Sequence, residues 1–165
     1  MRMELIQPFI NAADAVLADS LECPTSIGSL SMEEEAYRRK GVAALIAVTG
    51  DIEGRIIFDV DPHTAMRVAS RFAGEELPKS EELMRETVCE LANQVIGNAV
   101  TSLNDQGFRF RVHPPEVHTS EKGDKSSEDT EALVISIETS KGKVFMNVAM
   151  RYNQAPEQQA AVTRG

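Results

Sequence analysis

Apolar residues at Phe9, Ala12, Ala13, Val16 and Leu17 recur at helical spacing and predict a first helix from about Met3 to Ser20. Pro8 falls early in it, where a missing N–H is tolerated or kinks the first turn. Cys23-Pro24 ends this helix, and Thr25 to Leu30 predicts a strand. The acidic, then basic stretch Glu33 to Lys40 reads as a solvated connection. Val42 to Thr49 is apolar enough for a buried strand, Gly50-Asp51 is a turn, and Arg55 to Val60 returns as the second strand of a hairpin. Asp61 caps a short helix with Pro62 at its first position, running to about Phe72 and stopped by Gly74.

Ser80 opens the longest helix, with Glu81 and Glu82 in its first turn, where they suit the helix dipole. Its periodicity runs to Leu103, and Gly107 ends it. A strand from Phe108 to Val112 and the pair Pro114-Pro115 follow. From Thr119 to Thr130 there is no apolar residue, which predicts a mobile loop. Leu133 to Thr139 and Lys143 to Tyr152 form a closing hairpin around Lys141-Gly142. In it Val144, Met146, Val148 and Met150 alternate as one buried face.

The order helix, strand, hairpin occurs twice, from Met3 to Val60 and from Ser80 to Tyr152. A pseudo-twofold repeat of this kind implies an α+β fold, with two long helices packed on one face of an antiparallel sheet. Residues 1–152 then make a single domain, and 153–165 are a polar, disordered tail.

Composition narrows the function. The 165 residues carry 17 Lys and Arg against 26 Asp and Glu, a net charge of −9. That balance argues against nucleic acid, which is held by clustered cations, and against anionic lipid. Two cysteines, Cys23 and Cys89, make no disulfide framework and point to buried thiols in a reducing compartment. The first residues, Met1 to Pro8, place an acid and a proline where a signal peptide has an apolar run, and the longest apolar run, Val42 to Val48, is too short to cross a bilayer. The expectation is a cytoplasmic protein.

The candidate chemistry lies on the long helix. With about 100° of rotation per residue, Met84, Val88, Leu91, Val95 and Ala99 share a core stripe. Glu86, Glu90, Asn93 and Gly97 share a narrow stripe on the far side, with Leu83 and Thr101 beside them. Acids and amides on an exposed helix face are most often only solvated surface. Yet Glu86 and Glu90 repel at four residues' spacing, and Gly97 costs up to about 1 kcal/mol against Ala in a helix. Nearby Arg85 would offset part of the repulsion, and close approach of a neighbouring backbone or of a partner would account for the glycine.

The run Glu90-Leu91-Ala92-Asn93-Gln94-Val95-Ile96-Gly97-Asn98-Ala99 resembles the signature helix of the CheC/CheX/FliY family of chemotaxis phosphatases. That motif is a Glu, two intervening residues, an Asn, and a Pro further on, where Pro114 and Pro115 stand here. Gly97-Asn98-Ala99 and the opening Gln7-Pro8-Phe9-Ile10-Asn11-Ala12 are most similar to the CheX branch. One departure is Glu86, where the family often has Asp or Ser. Glu4 and Gln7 on the first helix repeat the spacing without the Asn, which implies one site per chain.

The resemblance implies a phosphatase acting on a phosphorylated CheY-type response regulator. Asn93 would orient the water that attacks the phospho-aspartate, and Glu90 would pair with a regulator lysine. Glu86 and Gly97 would serve docking. The Mg²⁺ would come from the regulator, with no metal ligands or cofactor of this chain's own. The resemblance also implies a homodimer through sheet edges, for which the last hairpin offers an edge strand. The alternative is a non-catalytic docking domain of chemotaxis or flagellar-switch type. His63, His113 and His118 match no metal-ligand spacing.

Overall fold

The computed structural model describes residues 3–33, 39–118 and 132–153. The expected mobile loop Thr119 to Thr130 lies outside them, as do most of the connection after Glu33 and all of the tail except Asn153.

Among the described residues three helices form as the pattern predicts. α1 spans Met3–Leu21 with Pro8 inside its early turns. α2 spans Pro62–Ala73, where the Asp61 carboxylate accepts from the backbone N–H of His63 at 3.0 Å and of Thr64 at 3.4 Å. Gly74 stops it in the left-handed region at φ 74°. α3 spans Glu81–Asp105, with the Ser80 hydroxyl accepting from Leu83 N–H at 3.3 Å. Past its end, the Gly107 N–H returns to the Asn104 carbonyl at 2.9 Å.

Among the described residues seven strands make one antiparallel sheet: β1 (Thr25–Glu33), β2 (Val42–Gly50), β3 (Ile52–Val60), β4 (Phe110–Val112), β5 (Glu116–His118), β6 (Ala132–Thr139) and β7 (Gly142–Tyr152). The order is β1-β6-β7-β3-β2-β4, with β5 also on β2. Each hairpin therefore receives the single strand of the other half. β1 lies against β6, β4 lies against β2, and the halves meet where β3 pairs with β7. Exchanging the two halves reverses the strand order onto itself, which is the expected pseudo-twofold repeat in space.

The strands depart from the sequence reading in several details. β3 starts at Ile52 rather than at Arg55. β1 runs to Glu33, three residues beyond the expected end. β5 was not expected, because three residues are too few for a periodicity. β4 starts at Phe110 rather than Phe108, because Arg109 is occupied by Asp51: its N–H donates to the carboxylate at 2.9 Å, and its carbonyl accepts from Asp51 N–H at 2.8 Å. Finally, the last hairpin offers no edge. Both β6 and β7 are paired on each side, and the sheet ends instead at β1 and at β4 and β5.

The core joins the three helices to one face of the sheet. Leu5, Phe9, Ala13 and Leu17 of α1 and Val88, Leu91 and Ala99 of α3 are buried against inward residues such as Ile56, Phe58, Ile135 and Met146. On the opposite face a smaller cluster centres on Ala43, Ile57 and Val134. Asp59, buried there, accepts from the backbone N–H of Lys40 at 2.7 Å and of Gly41 at 2.9 Å. The chain thus folds back over this face, and Arg39 is buried where a solvated connection was expected. Asn147, also buried, accepts from the Arg55 guanidinium, whose pKa burial lowers.

Candidate functional site

α3 separates two roles by face. Met84, Val88, Leu91, Val95 and Ala99 are buried, while Glu86, Glu90, Asn93 and Gly97 are all exposed on one stripe. The long helix and its packed core face hold that stripe on a rigid element. Leu83 and Val100, the apolar residues beside it, are half-buried.

Neighbours one turn away hold the two central side chains. Gln94 Nε2 donates to Glu90 Oε1 at 3.1 Å. Asn93 Nδ2 points to Cys89 Sγ at 3.9 Å, and a thiol is a weak acceptor. The Asn93 carboxamide oxygen keeps its capacity for a partner outside the chain. Arg85, expected to offset Glu86, reaches back to Glu81 at 3.5 Å. Glu86 makes no ion pair among the described residues, so the stripe keeps its negative charge.

Gly97 is informative in another way. A Cβ built on it meets no atom within 4 Å. No contact among the described residues requires a glycine, and Thr101 Oγ donates to its carbonyl at 3.1 Å from the next turn. The bare backbone is a feature of the outer surface, not of packing.

The remaining candidates are placed elsewhere. On α1, Glu4 accepts from the Tyr152 hydroxyl at 2.8 Å and Gln7 donates to Asn11 at 2.8 Å, so that pair is engaged within the chain. His113 Nε2 lies 3.0 Å from Thr49 Oγ, and His118 Nε2 lies 4.0 Å from Glu116. No three His, Cys, Asp or Glu side chains cluster as a metal site among the described residues. Cys23 and Cys89 are unbridged and half-buried rather than deeply buried. Pro114 and Pro115 join β4 to β5 beside β2. No described helix is long and apolar enough to cross a membrane.

The family described as chemotaxis phosphatase CheX matches residues 42–138, more than half of the chain and all of α3. The chain belongs to the CheX family. The CheX branch of the resemblance and the phosphatase class expected from it are thereby borne out. The CheY-P phosphatase CheX of Thermotoga maritima is 25% identical over 118 residues, 71% of this chain and 76% of that protein. The crystal structure of the CheX-CheY-BeF3-Mg²⁺ complex from Borrelia burgdorferi matches at 33% identity and a TM-score of 0.73, over 91% of this chain and 99% of that one. CheX from Desulfovibrio desulfuricans shares the fold, with a TM-score of 0.77 at 21% identity over 90% and 99% of the two chains.

Sequence reading named the CheX stripe but not the side chains that brace it. Gln94 and Cys89 were visible as i+4 partners of Glu90 and i−4 partners of Asn93. The wheel had assigned them to neither the core nor the outer stripe.

Proposed function

We propose that this CheX-family phosphatase hydrolyses the phospho-aspartate of a CheY-type response regulator, with Asn93 and Glu90 as its working residues. The observation that carries the reading is the exposed stripe of α3, where Glu90 and Asn93 stand beside a glycine that no contact among the described residues requires. The Borrelia burgdorferi relative, 33% identical, is a CheX in complex with CheY, which supports a CheY-type partner here.

The chemistry suits these residue types. Hydrolysis breaks the bond between the aspartyl oxygen and phosphorus and forms a bond from water oxygen to phosphorus. The products are a free carboxylate and inorganic phosphate, and the water proton leaves with the phosphate. A carboxylate with a pKa of about 3.9 leaves without a proton, so no general acid is needed. What the enzyme must supply is a water held in line with the breaking bond. Asn93 can accept from that water and donate to a phosphoryl oxygen with one planar group. Glu90 fixes the docked geometry by pairing with a regulator lysine, and Glu86 extends the acidic surface. Gly97 lets the regulator's backbone approach α3. The Mg²⁺ belongs to the substrate regulator, whose phospho-aspartate it accompanies.

A decay assay tests this reading. Substoichiometric protein should shorten the lifetime of the phosphorylated regulator, and Asn93→Ala should stop this while leaving binding intact. Binding without turnover by the unmodified protein would mark it as an adaptor instead.

We further infer a homodimer through β1. A bulge at Gly28 shifts the register between Ile27 and Ser29. Ile27, Leu30 and Met32 therefore all pair with core-facing residues of β6, namely Ile137, Ile135 and Leu133. At 46%, 54% and 48% exposure, they extend the core's apolar face to an open sheet edge.

A further inference from the structure

On a chain of net charge −9, one cleft gathers cations. It has a volume of about 520 Å³ and lies between the C-terminus of α1, one face of α2, the α2–α3 connection and the β6–β7 turn. His63, Arg67 and Arg71 line it from α2 at successive i+4 positions, and Lys141 faces them from the turn. Cations stacked four residues apart repel, so their helix does not explain them.

The hydrogen bonding shows how they are held. Arg67 donates to the Lys141 carbonyl at 2.8 Å, and Lys141 Nζ donates to the Leu21 carbonyl at 2.7 Å. Backbone oxygens thus fix both side chains, and neither makes an ion pair among the described residues. Among the described residues only Arg71 of these cations has a carboxylate partner, Glu22, at 2.5 Å. Glu22 sits at φ 52°, the one non-glycine residue with positive φ among those described. Ser70 Oγ accepts from Leu77 N–H at 3.1 Å and ties the α2–α3 connection to the cleft wall. Glu76 stands on that wall as the second acid, so three permanent cations face two carboxylates, one of them already paired.

Leu21, Met66 and Leu77 supply the apolar part of the lining, beside Ser20. We propose that this cleft binds a small organic phosphate. Arg67 and Lys141 would take the phosphate, and the organic body would lie on Met66 and Leu77. A guanidinium fork and an ammonium lining one cleft can meet a phosphate's oxygens, and the volume is that of a small-molecule site. None of these residues belongs to the α3 stripe, so the cleft and the phosphatase reading stand or fall separately.

The test is calorimetric titration of the full chain with AMP, inorganic phosphate and adenosine as probes. Saturable AMP binding, tighter than either fragment, is expected. Arg67→Glu and the milder Lys141→Gln should each weaken it at least about ten-fold. Glu22→Gln, which frees Arg71, should tighten it. Turnover of the phosphorylated regulator should stay unchanged in Lys141→Gln. Three results would overturn the proposal: no AMP binding up to about 10 mM, phosphate or adenosine binding as tightly as AMP, or AMP binding indifferent to both Arg67→Glu and Lys141→Gln.

Discussion

Gln94 Nε2 donates to Glu90 Oε1 at 3.1 Å, across one turn of α3. The bond holds in place the carboxylate proposed to meet a regulator lysine. Gln94→Ala should raise the KM for phosphorylated regulator roughly two-fold with kcat unchanged, the scale of an i,i+4 pair of a few tenths of a kcal/mol. Gln94→Glu sets a like charge against Glu90 and should raise KM further. Steady-state kinetics of the two variants check this, and an unchanged KM in both would deny Gln94 a positioning role.

Gly97 separates stability from function. Among the described residues no neighbouring atom lies within 4 Å of an added Cβ, so Gly97→Ala should stabilise the protein by up to about 1 kcal/mol. Gly97→Leu should also fold well, yet lose regulator turnover because its side chain stands where the partner approaches. Thermal denaturation alongside the decay assay reads both effects. Full activity in Gly97→Leu would show that this surface meets nothing.

The fold was legible wherever a periodicity or a cap carried it. Asp61, Gly74 and Ser80 bound their helices as read, because caps are local chemistry. The alternating Val144 to Met150 marked a buried strand face. What was hidden depended on distant partners. β5 is recognisable only by its pairing with β2, Arg109 leaves β4 because Asp51 occupies its backbone, and the sheet edges follow from the exchange of single strands between halves. The α3 stripe was visible from rotation alone, since a helix face needs no long-range information. The cationic cleft was not, because Lys141 reaches it from a turn about 70 residues along the chain from Arg71.

Gly54 shows the opposite case to Gly97. It sits in β3 at φ 148°, and an added Cβ would fall 1.8 Å from the Ala149 carbonyl oxygen of β7. This is where the two halves of the sheet join. Gly54→Ala should cost about 3 kcal/mol or more, through strain and a forced shift of β7. Urea denaturation measures it, and a loss below 1 kcal/mol, roughly the cost of an ordinary substitution, would mean that the strands part more easily than this register allows.

Along β1, Leu30 and Met32 extend the apolar face at an open edge. The unmodified protein should sediment as a dimer, and Leu30→Lys with Met32→Lys should sediment as a folded monomer. A monomer before substitution, or a dimer after it, would remove β1 as the interface.

The most direct measurement is the decay of the phosphorylated response regulator with the unmodified protein and with Asn93→Ala. The account predicts rapid decay with the first, and with Asn93→Ala a loss of roughly 100-fold or more, the scale on which a misplaced reacting group fails. Binding of the regulator should be retained. Full phosphatase activity in Asn93→Ala would contradict the assignment of the water-orienting role to this residue.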